Sequence, residues 1–163
     1  EIALDRIERF TGPVFQGNLQ FVKKRRIGRP EPRFRFFSQY ETDRLWYRRT
    51  FGVPEEWAGK RILLHFGAVD WETTVWVNGK EATHHRGGYD SFSIDITDML
   101  KASGPQEIIV SVWDPSDKGP QMRGKQVIIP HGFNYTGVSG IWQTVWIEPV
   151  APSHIRSVYT EAD

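Results

Sequence analysis

The stretch from Val69 to His85 constrains this chain more than any other, because Asn78-Gly79 at its centre admits few alternatives to a tight hairpin. A type I′ turn needs positive φ at both central residues, which Asn and Gly tolerate. On the N-terminal side Thr73, Val75 and Val77 alternate with Glu72, Thr74 and Trp76, the two-residue period of a pleated strand. A two-residue turn then sets the register. It places Val77 opposite Lys80, Val75 opposite Ala82 and Thr73 opposite His84. Trp71 falls opposite Arg86, where a cation–π contact is expected.

Further strands follow the same logic. Leu45–Phe51 alternates, with Trp46, Arg48 and Thr50 on one face and Tyr47, Arg49 and Phe51 on the other. Both faces mix aromatic with polar groups, so the alternation leaves the inner face open. Ile62–Phe66 is continuous enough in apolar character for a central strand. Phe92, Ile94 and Ile96 form the apolar face of another, and Thr97–Lys101 reads as a capped helical turn. Glu107–Asp114 and Gln143–Glu148 complete the set, with Trp142 and Trp146 expected in the core. Short strands separated by turn signals, without a long helical pattern, predict an all-β sandwich. Residues 1–44 are harder to read. Leu19–Val22 and Arg33–Phe37 are short strand candidates, and Gly28, Pro30 and Pro32 break the chain between them.

Composition removes several classes of function. At 163 residues, 39% hydrophobic and with seven Trp, the chain can bury a core. Its 21 Lys and Arg against 20 Asp and Glu leave a net charge of +1, which points to neither nucleic acid nor a membrane surface. The basic run Lys23–Arg26 with Arg29, Arg33 and Arg35 reads as a solvated or partner-facing segment. No apolar run reaches the roughly 18 residues of a transmembrane helix. With no Cys, thiol catalysis, disulfides and Cys-ligated zinc are excluded. That does not locate the protein, and a periplasmic or extracellular setting is compatible with it. The first residues, Glu1–Arg6, have no signal-peptide core and no initiator Met, so the natural start is expected to lie elsewhere.

Between Asp114 and Gly140, residues 115–139 show little regular pattern and contain Pro115, Pro120 and Pro130 among several glycines. Loops beyond about 12–15 residues in a compact domain are usually functional or disordered. This one carries Val127-Ile128-Ile129 and the aromatic residues Phe133 and Tyr135, which favours an ordered loop with a task.

Five blocks in one order carry a resemblance. They are Leu45–Phe51, the hairpin around Val75–Gly79, Arg86-Gly87-Gly88-Tyr89, Asp114-Pro115 with Arg123-Gly124-Lys125-Gln126, and Ser139–Pro149. Together they resemble the N-terminal sugar-binding domain of glycoside hydrolase family 2, the family of β-galactosidases, β-glucuronidases and β-mannosidases. The resemblance covers roughly residues 45–150; residues 1–44 lack the family's opening pattern. It implies a jelly-roll β-sandwich, like the galactose-binding domains, followed in the family by an immunoglobulin-like domain and a catalytic (β/α)8 barrel. Residues 151–163 then read as a linker, Ala151-Pro152-Ser153, and the first strand of that next domain, His154–Thr160. The chain is accordingly expected to be cut from a longer one, with C-terminal domains of the same chain as partners.

A retaining glycosidase needs two carboxylates about 5–5.5 Å apart, and in the resembled family both lie on the barrel. Glu55-Glu56 and the pair Asp114 and Asp117 are the available substitutes here, and both read better as solvated turn residues. His84 and His85, as strand neighbours, point to opposite faces and cannot share a metal. There is no HExxH, no GxSxG and no phosphate-binding loop. No metal and no cofactor are therefore expected, and no catalysis by this chain alone.

In the family, the loop before the Ser-Gly-Ile block reaches the catalytic barrel, and in some members an Asp there contacts the sugar. The matching position, five before Ser139, is Asn134, an uncharged amide that can still donate to and accept from a hydroxyl. His131 and Tyr135 of the same loop are further substrate-binding candidates. The competing readings are a turn role for Asn134 and packing beneath the loop for the other two. The resemblance thus implies a non-catalytic module whose β-glycoside or oligosaccharide substrate is shared with a barrel, most plausibly that of a β-galactosidase. Two alternatives differ in class: a free-standing carbohydrate-binding module, marked by an exposed aromatic platform, and a purely structural interaction domain, marked by a large apolar patch.

Overall fold

The structure, a computed structural model, describes residues 9–10 and 44–162. The strand candidates at 19–22 and 33–37 and the basic run at 23–35 lie outside the described residues. Twelve strands are described: β1 (Arg9–Phe10), β2 (Arg44–Phe51), β3 (Arg61–Phe66), β4 (Val69–Asp70), β5 (Glu72–Val77), β6 (Lys80–Arg86), β7 (Phe92–Asp95), β8 (Gln106–Trp113), β9 (Gln126–Val127), β10 (Tyr135–Thr136), β11 (Gly140–Ile141) and β12 (Val145–Val150). Among the described residues helical structure is confined to two single 3-10 turns, Glu55–Trp57 and Thr97–Met99.

Two sheets account for most of the described strands. One has the order β1-β2-β8-β5-β6, the other β12-β3-β7, and the two-residue ladders β11-β4 and β10-β9 lie outside them. All neighbours in the two sheets are antiparallel except β1, which runs parallel to β2. Alternation fixes the inner faces. Tyr47 and Phe51 of β2, Val75 and Val77 of β5 and Ile108, Val110 and Val112 of β8 are buried from one sheet. Ile62, Leu64 and Phe66 of β3, Ile94 of β7, and Val145 and Ile147 of β12 are buried from the other. All belong to one apolar cluster, so the sheets face each other as a β-sandwich. Each such side chain, fully buried, contributes roughly 1.5–3 kcal/mol.

Several sequence expectations change in detail. The turn at Asn78-Gly79 forms with φ of 50° and 82° and pairs Val77 with Lys80. One pair further on, a bulge intervenes: Trp76 faces Glu81, but Val75 faces Thr83, Thr73 faces His85 and Glu72 faces Arg86. The extra residue, Ala82, moves every later partner by one. Arg86 still lies over the Trp71 ring, 5.9 Å from its centroid. β3 is central as expected, yet Leu63 and His65 are only half-buried, so it alternates rather than burying both faces. Thr97 does not cap its turn; the Asp95 carboxylate accepts from its amide and hydroxyl at 3.0 and 2.6 Å.

Trp142 leaves the core. It precedes β12 and is 42% exposed, because Val145 and Ile147 supply that strand's inner face. Trp146 is half-buried on the outer face against His65, with ring centroids 4.8 Å apart.

Candidate functional site

The long loop is knitted to itself by short polar contacts, which is why it can be ordered with so little strand. At its entry Asp114 Oδ1 accepts from the Ser116 amide at 2.7 Å and from Gln121 Nε2 at 3.2 Å. Gln121 Nε2 also donates to the Ser116 carbonyl at 2.7 Å. Asp117 Oδ2 accepts from the Ile128 amide at 3.1 Å and lies 3.7 Å from Arg123 Nη1. Tyr135 N donates to the Lys125 carbonyl at 2.9 Å, which starts the parallel pairing of β10 with β9, and Gln126 Oε1 accepts from Val138 N. Neither Asp114 nor Asp117 is a solvated turn carboxylate as expected. Asp114 is 6% exposed, and both are committed to loop backbone, which disfavours them as a catalytic pair.

His131, Asn134 and Tyr135 are brought together. His131 accepts from the Asn134 amide at 3.0 Å through its carbonyl, closing a turn in which Gly132 takes a φ of +56°. Tyr135 follows directly and is 64% exposed; His131 is exposed and Asn134 half-buried. The left-handed conformation therefore falls on Gly132 rather than Asn134, and neither ring packs beneath the loop. Phe133, 72% exposed with Lys125 Nζ 5.6 Å from its centroid, adds a second aromatic face. The set offers apolar surfaces, an amide and an imidazole, the mixture that suits a pyranose ring and its hydroxyls.

At the base of the loop lies a shallow polar depression that sequence reasoning missed. Asp70, Asp114, Ser116, Gln121, Arg123 and Gln126 are among its lining residues. Asp114 Oδ2 and Gln121 Oε1 are buried there without a hydrogen-bond donor among the described residues. Asp70 is in turn approached closely by Gly88, where a Cβ would stand 2.6 Å from Asp70 Oδ1. The Gly87-Gly88 pair was the available signal, since glycines in sequence mark a close approach. Trp142 holds the Gly88-Tyr89 segment: its indole donates to the Gly88 carbonyl at 2.7 Å and meets Tyr89 edge-on at 6.0 Å.

Among the described residues no three His, Asp or Glu side chains are grouped to hold a metal ion. Nor, among the described residues, is any helix long and apolar enough to cross a membrane.

The family model described as glycosyl hydrolases family 2, sugar binding domain, matches residues 31–148. A beta-galactosidase of Thermoanaerobacter pseudethanolicus is 33% identical over 120 residues, covering 72% of this chain and 15% of its own length. A beta-glucuronidase of Paenibacillus borealis is 45% identical over 109 residues, covering 58% and 18%. Among solved structures, beta-glucuronidase 2 of Bacteroides uniformis superposes with a TM-score of 0.56 at 31% identity, over 69% of this chain and 12% of that one. The chain thus spans less than a fifth of the length of each of these relatives.

Proposed function

This chain belongs to the sugar-binding domains of glycosyl hydrolase family 2, and we propose that it serves as the non-catalytic N-terminal module of a retaining β-glycosidase. In this reading residues 45–150 are a jelly roll of the galactose-binding type. Residues 151–163 are a linker and the first strand of an immunoglobulin-like domain, and a barrel beyond it carries both catalytic carboxylates. The exposure of Ile155, Val158 and Tyr159, at 80%, 72% and 94%, fits a segment that pairs with a sheet outside the described residues. The module buttresses the barrel and lends it the loop 115–139.

One observation carries the reading. The loop holds its own shape through Asp114 and Asp117, and within it the turn that joins His131 to Asn134 leaves His131 and Tyr135 exposed. Asn134 takes a sugar hydroxyl, and His131 and Tyr135 border the ring. A β-galactoside is the preferred substrate; a β-glucuronide is the runner-up, since relatives bear both names.

The first measurement is the intact mass of the natural polypeptide, followed by its assay on aryl β-galactosides and β-glucuronides. A mass several times that of this chain with hydrolysis of either substrate supports the reading. A mass equal to this chain's sinks it, and leaves a free-standing carbohydrate-binding module. In the active polypeptide Asn134→Ala is expected to raise KM about five- to tenfold, the worth of one hydrogen bond, with little change in kcat. An unchanged KM would remove Asn134 from the site.

A further inference from the structure

On the five-stranded sheet Ser111 of β8 points away from the core, since Val110 and Val112 beside it point in, yet it is 0% exposed. Its neighbours across the ladder are Trp46 on β2 and Thr74 on β5; one pleat along, Ile109 lies between Arg48 and Trp76. Trp46 and Trp76 thus stand on the two strands that flank β8. Their rings meet above it with centroids 5.8 Å apart and planes 22° from parallel. Arg44 Nη1 donates to the Ser111 hydroxyl at 2.9 Å. Roofing a serine requires only one side of an indole. Trp46 nevertheless keeps 37% of its surface in solvent.

The flanks of this aromatic strip narrow the choice of occupant. Arg48 is paired with Glu107, its Nε 2.7 Å from Oε2, and Glu72 is paired with both Arg86 at 2.8 Å and His84 at 3.3 Å. Each charge is balanced in place while further N–H donors and carboxylate lone pairs remain. A nucleic acid needs several uncompensated cations; Arg48 and Arg86 each hold a carboxylate, which leaves Arg44, bonded to the Ser111 hydroxyl, as a single cation here without one among the described residues. A protein partner needs roughly 800 Å² per side with a core depleted of charge, whereas here ion pairs border the strip on both sides. A neutral pyranose chain fits: apolar ring faces against indole, hydroxyls against a hydrogen-bonding rim.

We propose that the outward face of the five-stranded sheet, centred on Trp46 and Trp76, binds the rings of a neutral β-linked glycan, separately from the loop that carries Asn134. The site rests on the reading of this module as one that meets glycans, but not on its lending a loop to a barrel. Electrophoresis of this chain through gels holding soluble neutral β-1,4-galactan or hydroxyethylcellulose tests it. Retardation by at least one is expected, weakened about tenfold in Trp46→Gln and in Trp76→Ala. Trp146→Ala, which removes an indole from the opposite sheet's outer face, is expected to change it by less than about twofold. Trp46 is the more exposed ring, so Trp46→Gln with unchanged far-UV circular dichroism decides the matter should Trp76→Ala fail to fold.

No retardation of the wild-type chain in either gel overturns the proposal. Retardation lost in Asn134→Ala and retained in Trp46→Gln also overturns it and assigns the binding to the loop. A dimer seen by ultracentrifugation and dissolved by Trp46→Gln overturns it in favour of a second copy on this face. The hydrolase-module reading stands or falls on the mass and assay of the natural polypeptide, so its failure shows separately.

Discussion

Gly140 and Tyr47 compete for one volume. Gly140 adopts a φ of +83°, and a Cβ added there would collide with the Tyr47 hydroxyl. That hydroxyl accepts from the Ile141 amide at 3.3 Å, and burial pushes the phenol's pKa up, partly offset by this bond. Gly140→Ala therefore incurs left-handed strain of about 1–3 kcal/mol and overpacking of about 1–3 kcal/mol. The expected outcome is a melting temperature lower by about 5–15 °C. Tyr47→Phe in the same background should return part of the loss, because it removes the tightest contact and leaves the strain and the approach of Leu45 Cδ1 at 2.9 Å. No recovery would mean that φ and Leu45 account for the effect. The glycine itself was readable in Ser139-Gly140-Ile141, its partner 93 residues earlier was not. The same holds for Asn78: its turn role is local, but its amide also donates to the Met99 carbonyl and Gln106 Oε1 and accepts from Glu107 N. Those partners come from elsewhere in the chain and leave no trace in the dipeptide.

At the level of elements, alternation made the strands legible because each buries one face, and a buried face must repeat every second residue. The order of strands in a sheet has no such local signature. Nothing in Gln106–Trp113 says that it lies between β2 and β5. The bulge at Ala82 was equally hidden: a turn fixes register only while both strands advance in step, and one extra residue turned His84 outward to meet Glu72 and His85 inward against Phe92. The site divides the same way. His131, Asn134 and Tyr135 are near in sequence and share a turn, whereas the depression draws Asp70 and Asp114 from either side of four strands. The loop's order rests on side chains rather than ladders, so Asp114→Ala should free its entry without unpicking the sandwich. Limited proteolysis is expected to cleave that variant within residues 116–138 several times faster, while its global stability drops by only about 1–3 kcal/mol. Cleavage at the wild-type rate would mean that Asp117 and the β9-β10 ladder suffice.

At the scale of the molecule, the two sheets bear separate acid-sensitive contacts on their outer sides. Burial tends to raise the pKa of Glu72 on one sheet, but hydrogen bonds from His84 and Arg86, with the Arg86 charge, hold its carboxyl below the ordinary value. Burial acts likewise on Asp95 of the other sheet, and the Thr97 hydroxyl and amide, together with Arg61, outweigh it. A depressed pKa means that the folded chain binds fewer protons than the unfolded one near pH 4, where unfolded carboxylates titrate. The stabilisation from both groups is complete above that range and is lost as pH falls through the folded values. Glu72→Gln and Asp95→Asn should each destabilise at pH 7 and flatten the decline of stability between pH 5 and pH 2. Because the two contacts share no partner and lie on different sheets, their effects at pH 7 should add to within about 0.3–0.5 kcal/mol. Urea unfolding of the four species at pH 7 and pH 3 measures both quantities. Equal pH slopes in the wild type and the double variant would place the acid sensitivity elsewhere. A larger departure from additivity would show that the two faces of the sandwich communicate through the shared core.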